Sequence, residues 1–149
     1  MKKLLVVDDN NLNLKVAFRM LKGFNFDVDT AKSGFEWLNL INEDINRYDA
    51  IFMDIMMPSM DGVETFHRLK EIIGFKTPVI ALTADAMEGS RERYLKEGFD
   101  DYLSKPISKL SLEETLNKFV NLNVIMQEEV QEYKDAYDRN SDREEMDII

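Results

Sequence analysis

Short apolar segments alternate with helix-like segments along this chain, and that order limits the fold more than any other feature. The run Leu4–Val7 is continuously apolar, and Pro78–Thr83 is apolar up to its last residue, which is typical of strands buried on both faces of a parallel sheet. The other strand-like runs are Phe26–Ala31, Tyr48–Asp54 and the segment "DDYLSKP". Strands that alternate with helices form parallel sheets with helices on both faces. The pattern therefore predicts an α/β fold with a doubly wound five-stranded parallel sheet and five helices.

The segments between these runs carry the start and stop signals of helices. Asn10 or Asn11 can cap the first helix, which Gly23 ends, and Gly98 ends the fourth. The five predicted helices run over about Leu12–Lys22, from Ser33 to Glu43, from Gly62 to Ile73, over Met87–Glu97 and over Lys109–Asn121. Right-handed connections between parallel strands then leave few possible topologies.

Composition excludes several classes of protein. The 149 residues carry a net charge of -10 and include no cysteine, which argues against a nucleic-acid surface as a direct partner and excludes disulfides and thiolate metal sites. No segment approaches the roughly 20 apolar residues of a membrane span. The apolar run in "MKKLLVV" is too short for a signal peptide. We therefore expect a cytoplasmic protein that is not bound to a membrane.

Five polar residues of complementary chemistry stand at or just after the ends of predicted strands. They are Asp8, Asp9, Asp54, Thr83 and Lys105. Ligands of open α/β sheets bind beyond the carboxyl ends of the strands, near the point where the strand order reverses. These side chains are therefore candidates for one common site, although Asp8 and Asp9 could also belong to an ordinary strand-to-helix turn.

The chemistry of this set favours a cation and an anion together. Three carboxylates in one cleft are poorly tolerated without a cation, and oxygen ligands alone favour Mg²⁺ or a similar hard ion such as Mn²⁺. The Met56 carbonyl could supply one further oxygen. Lys105 adds a positive charge for an anion and Thr83 a hydroxyl donor. Such a set is suited to phosphoryl transfer through an aspartyl-phosphate.

Four motifs in the same order resemble those of the response-regulator receiver domain. They are "VVDDN", "MDIMMPSMDG", "ALTA" and "DDYLSKP", and the resemblance covers about Lys3–Leu122. The stretches "DDNNLNLKVA" and "GFDDYLSKPI" are especially similar to receivers of hybrid histidine kinases and phosphorelays, through Asn10 and Asn13. The resemblance implies a flavodoxin-like sheet with strand order 2-1-3-4-5.

The resemblance also implies a role for each acidic residue. Asp54 would be the phosphoacceptor. Asp8, Asp9, Asp54 and the backbone carbonyl of Met56 would hold Mg²⁺ or Mn²⁺, with Asp8 acting through water. The phosphoryl donor would be a histidine kinase or a histidine-phosphotransfer domain.

On the other side of the predicted cleft, the resemblance implies a phosphoryl-binding and switching set. Thr83 and the backbone N–H of Ala84 would receive phosphoryl oxygens, and Lys105 would pair with the phosphoryl group. The Lys105–Pro106 peptide bond would be cis, and Tyr102 would change rotamer together with Thr83. These roles describe a signalling switch that changes its binding surface and catalyses only its own phosphorylation and dephosphorylation.

Two other functions compete with a phosphorylation switch. A Mg²⁺-dependent phosphohydrolase of the haloacid dehalogenase class would use the same aspartyl-phosphate chemistry. That class places a second Asp two residues after the nucleophile as acid and base, and here that position is Met56. A degenerate receiver that acts by binding alone is the other alternative, and the intact set of five polar residues argues against it.

The first predicted helix offers a partner surface. Leu14 and Phe18 lie one turn apart, and we expect both on or near its outer edge. The inward arc would then comprise Asn13, Val16, Ala17 and Met20. Exposed apolar pairs often mark contact sites, so we expect the phosphohistidine partner to dock there. Burial of the pair under a neighbouring element is the alternative.

The chain beyond the receiver-like region, residues 123–149, has a different character. Val124–Ile149 contains nine acidic and three basic residues. Its apolar side chains share one helical face at Met126, Val130, Tyr133 and Tyr137. We expect an acidic, partly helical tail after a receiver domain over residues 1–122. It would mediate self-association or lead into a further domain.

Overall fold

The computed structural model describes residues 2–56, 62–72, 74–84 and 89–120. The strands are β1 (Lys3–Val7), β2 (Asp27–Ala31), β3 (Ala50–Asp54), β4 (Val79–Thr83) and β5 (Asp101–Ser104). The helices are α1 (Asn11–Gly23), α2 (Gly34–Glu43), α3 (Gly62–Lys70), α4 (Ser90–Glu97) and α5 (Lys109–Phe119). All strand pairs are parallel, in the order β2-β1-β3-β4-β5. The predicted fold class and strand order are confirmed.

Successive side chains of each strand point to opposite faces of the sheet, so the strands contribute to two separate hydrophobic cores. Leu4, Phe52 and Leu82 pack under α1 and α5 on one face of the sheet. On the other face, Val7 and Met53 pack with side chains of α2, α3 and α4. Every residue of β3 and β4 is buried, because both faces of these central strands are covered by helices.

Local capping fixes where several helices begin and end. The side chains of Asn10, Ser33 and Ser108 each accept a backbone N–H from the first turn of α1, α2 and α5. Gly98 ends α4 with φ +113°, a conformation that favours glycine. The fourth helix begins at Ser90, whereas the sequence placed its start at Met87, which is outside the described residues.

The orientation predicted for α1 is wrong at Leu14 and Val16, whereas Ala17 and Met20 contact the core as expected. Its buried residues are Leu14, Ala17 and Leu21, which share one face at the helical spacing i, i+3, i+7. Val16, expected inside, is 42% exposed, whereas Leu14, expected at the outer edge, is 5% exposed. The helix turns Leu14 toward the sheet because that face completes the core beneath α1 and α5. Phe18 is half-buried at the margin of the same core.

Two further expectations concern the rest of the chain. No helix in the described ranges is both long and apolar enough to cross a membrane. The predicted tail, with its stripe at Met126, Val130, Tyr133 and Tyr137, lies outside the described residues.

Candidate functional site

Three carboxylates meet at the carboxyl edge of the sheet. β1 and β3 are neighbours, with Val7 paired to Met53, so the residues that end these two strands emerge side by side. One carboxylate oxygen from each of Asp8, Asp9 and Asp54 lies within 4.8 Å of the others. Asp8 and Asp54 are 1% and 4% exposed, whereas Asp9 is exposed at the rim. The three acids therefore lie in one cleft, as their positions at the ends of predicted strands indicated.

Lys105 directly follows β5, and its side chain reaches into this cleft. Its Nζ donates to Asp8 Oδ2 at 2.9 Å and lies 3.2 Å from Asp54 Oδ1. The backbone N–H of Lys105 donates to the Thr83 carbonyl at 2.7 Å, and the Lys105–Pro106 peptide is cis, as the resemblance implied. A single ammonium thus bridges two buried carboxylates.

Burial changes the protonation of the cleft. The pKa of Asp54 is raised from its ordinary value of 3.8 to about 6, mainly by burial. The Met56 N–H and the Lys105 charge oppose this shift, and the neighbouring charge of Asp8 adds to it. The Met56 N–H donates to Asp54 Oδ1 at 3.2 Å. For Lys105, burial lowers the pKa, but Asp8 and Asp54 raise it by more, so the net direction is upward. The cleft thus holds a firmly charged lysine and an acid that titrates near neutrality.

The donor set fits a hard divalent cation. The three acids supply only oxygen atoms, and two of them are buried at a separation that cation ligands adopt. Asp9 and Met56 are exposed, so water can reach one side of the cleft. Mg²⁺ keeps several water ligands and needs few carboxylates from the protein. Mn²⁺ accepts the same oxygen ligands.

The structure places Thr83 and Tyr102 on the same side of β4 and β5. Thr83 ends β4 and is 1% exposed. Tyr102 of β5 pairs with Ala81 and is half-buried. Ala84 follows Thr83 and is exposed beside the cleft edge of the sheet.

Sequence reasoning missed Tyr94, a buried side chain of α4. Its hydroxyl oxygen lies 3.4 Å from Thr83 Oγ1, and its ring centroid lies 6.0 Å from that of Tyr102. An aromatic residue on a mostly polar helix, "SRERYLKE", was the available signal, because a large aromatic side chain on such a helix is expected to face the sheet.

A cavity of about 440 Å³ lies between α1 and the end of β2. Leu14 and Phe18 contribute to its lining, with the basic side chains Lys15, Arg19 and Lys32 around them. Leu14 and Phe18 therefore line the same cavity, which forms a groove beside α1. Leu14 is buried there and is not the exposed contact that the sequence predicted. The positive charge of the groove contrasts with the acidic chain as a whole.

Comparison with known proteins agrees with this geometry. A family model described as "Response regulator receiver domain" matches residues 4–117. Hybrid signal transduction histidine kinase I of Dictyostelium discoideum is 40% identical over 122 residues, which is 78% of this chain and 7% of that protein. Histidine kinase 3 of Arabidopsis thaliana is 38% identical over 141 residues, covering 80% of this chain and 14% of the relative. The chain thus spans a small part of the curated relatives that it matches.

Among solved structures, the receiver domain of sensor histidine kinase PA1611 from Pseudomonas aeruginosa PAO1 is similar. It is 32% identical with a TM-score of 0.68, and the match covers 80% of this chain and 98% of that one. That structure has a magnesium ion coordinated in its active-site cleft. The resemblance inferred from the four sequence motifs is confirmed.

Proposed function

Since the chain belongs to the response regulator receiver domain family, we propose that it accepts a phosphoryl group from a phosphohistidine onto Asp54. The observation that carries this proposal is the Lys105 ammonium, which lies 2.9 Å from Asp8 and 3.2 Å from Asp54. A positive charge fixed beside a buried carboxylate can pair with an incoming phosphoryl oxygen. The proposed phosphorylation would change a binding surface, so the protein would act as a signalling module.

The proposed phosphoryl transfer needs only Asp54, the phosphohistidine of the donor and a proton from solvent. A carboxylate oxygen of Asp54 forms a bond to phosphorus while the bond from phosphorus to the donor's imidazole nitrogen breaks. The electron pair of that bond stays on the imidazole, which takes up a proton from solvent. Asp54 must be ionised to attack, so its pKa near 6 leaves it mostly reactive at neutral pH. The product is an acyl phosphate that water hydrolyses in a later step.

Mg²⁺ or Mn²⁺ is the proposed cofactor. Asp8, Asp9, Asp54 and the carbonyl of Met56 would hold it, Asp8 through a water molecule. When bound, the ion neutralises charge on the transferring phosphoryl group. The oxygen-only donor set supports this assignment, as does the magnesium ion in the related PA1611 receiver.

The phosphoryl oxygens would be received by Thr83, the Ala84 N–H and Lys105. Asp54 pairs with Leu82 across β3 and β4, so Thr83 is the next residue along the neighbouring strand. Movement of its hydroxyl toward Asp54 would leave space for Tyr102 to turn inward. The ligand need only bias two populated conformations by a few kcal/mol.

The groove beside α1 is the proposed partner surface. Phe18 offers apolar contact, Leu14 supports it from below, and Lys15, Arg19 and Lys32 favour a partner with acidic side chains at the rim. We propose a histidine kinase or histidine-phosphotransfer domain as this partner, acting in the cytoplasm. The curated relatives are themselves histidine kinases. The neighbouring acid cleft would then meet the donor histidine.

The phosphohydrolase alternative is not favoured. Its acid and base would be needed two residues after Asp54, where Met56 has a thioether that cannot exchange a proton.

Intact-mass spectrometry tests the proposed function. Incubation with Mg²⁺ and acetyl phosphate should add the mass of one phosphoryl group to the parent chain. Asp54→Asn should stay unlabelled. The matched control is Asp101→Asn, which changes an equally buried aspartate on β5 and should leave labelling intact. Equal labelling of Asp54→Asn and the parent would refute the assignment.

A further inference from the structure

Tyr94 of α4 contacts Thr83 inside the protein. The Tyr94 hydroxyl oxygen lies 3.4 Å from Thr83 Oγ1, with either atom able to donate. Tyr94 is 3% exposed and Thr83 is 1% exposed. This contact is therefore shielded from water, and it joins α4 to the end of β4.

Other contacts fix the position of the tyrosine ring. Arg93 Nη2 donates to the Tyr94 hydroxyl at 2.7 Å. The ring meets Phe99 edge-on, with centroids 6.2 Å apart, and lies 6.0 Å from the ring of Tyr102. Because Arg93 already donates to the tyrosine oxygen, the tyrosine proton can be directed toward Thr83. Tyr94 thus connects the residue that would receive the phosphoryl group with the aromatic residue that would respond.

We propose that Tyr94 is a positioning residue that holds the Thr83 hydroxyl in its unphosphorylated place. The inference rests on the proposed function, since Thr83 must then leave Tyr94 to reach a phosphoryl group on Asp54. At 3.4 Å the two oxygens are farther apart than in an ordinary O–H···O hydrogen bond, so the contact is weak and a small movement of Thr83 breaks it. Tyr94 therefore favours the inactive conformation and raises the threshold for switching.

The test compares two variants that each remove one buried tyrosine hydroxyl. Tyr94→Phe keeps the ring and its packing but loses the contact with Thr83. Tyr48→Phe is the matched control, because its hydroxyl donates to Asp29 at 2.7 Å, at the opposite edge of the sheet from the acid cleft. Affinity for beryllofluoride, a phosphoryl analogue, is measured in the presence of Mg²⁺ by isothermal titration calorimetry.

Tyr94→Phe should bind beryllofluoride about two- to fivefold more tightly than the parent, the range expected for one weak hydrogen bond. Tyr48→Phe should match the parent. In a Thr83→Ala background, Tyr94→Phe should have no effect, since a double-mutant cycle isolates the pair. Unchanged or weaker binding of beryllofluoride by Tyr94→Phe would overturn the inference. So would a gain in affinity from Tyr94→Phe that is equally large in the Thr83→Ala background.

A second measurement needs no phosphoryl group. Scalar couplings of the Thr83 side chain report its χ1 rotamer populations, which should differ between the metal-free parent and Tyr94→Phe. Failure of the parent to bind beryllofluoride would refute the proposed function alone, and the couplings would still decide the role of Tyr94. Identical couplings in Tyr94→Phe and the parent would overturn that role.

Discussion

Replacing Asp54 with Asn should stabilise the metal-free protein even though it removes the proposed phosphoacceptor. The Asp54 pKa of about 6 exceeds the ordinary value of 3.8, so folding disfavours the charged form at neutral pH. A difference of about 2 pKa units corresponds to at most about 3 kcal/mol. Water enters the cleft beside Asp9, which is exposed, and screening reduces the expected gain to about 1–2 kcal/mol.

The sign of this effect depends on pH in a defined way. A carboxyl group whose pKa is raised on folding destabilises the native state fully above the folded pKa, here about 6. The penalty disappears as the pH falls through that value toward the unfolded pKa. The advantage of Asp54→Asn should therefore be largest at pH 8 and fall to about half at pH 5.

Urea denaturation in the presence of EDTA measures the difference at both pH values. The matched control is Asp101→Asn, because Asp101 is also 4% exposed but lies 3.1 Å from Lys118 and 3.7 Å from Arg91. That variant loses two favourable charge interactions and should not gain stability. If Asp54→Asn were less stable than the parent at pH 8, the electrostatic account of the cleft would be wrong.

Three further predictions concern the metal and the partner. Asp9→Ala should weaken Mg²⁺ binding at least tenfold by calorimetry, because it removes charge that the cation needs, whereas Lys105→Ala should still bind the ion. The parent's Mg²⁺ affinity should fall as the pH drops below about 6, since protons then compete for Asp54; a flat profile from pH 7 to 5 would contradict this. Leu14→Ala with Phe18→Ala should slow phosphoryl transfer from a phosphohistidine partner but leave acetyl phosphate labelling intact. Loss of both reactions would indicate a folding defect, since Leu14 is buried. The single variant Phe18→Ala would then be used to test the partner surface.

The sequence by itself determined the elements and the chemistry of the strand ends. Runs such as Leu4–Val7 are strands because they are apolar on both sides. Asp8 directly follows such a strand, Asp9 comes one residue later, and Asp54 ends another. The carboxyl ends of parallel strands share one edge of the sheet. The convergence of Asp8, Asp9 and Asp54 therefore followed from the pattern together with the strand order that the family resemblance implied.

The tertiary structure decided everything that depends on how helices rotate against the sheet. The α1 pattern is compatible with several inward faces, and packing selected the one that buries Leu14 and exposes Val16. The contact between Tyr94 and Thr83 also depends on the rotation of α4. The bridge from Lys105 to Asp8 joins residues 97 positions apart. Local pattern fixes which residues share a strand or a helix face, whereas contacts between elements arise only when the two cores are packed together.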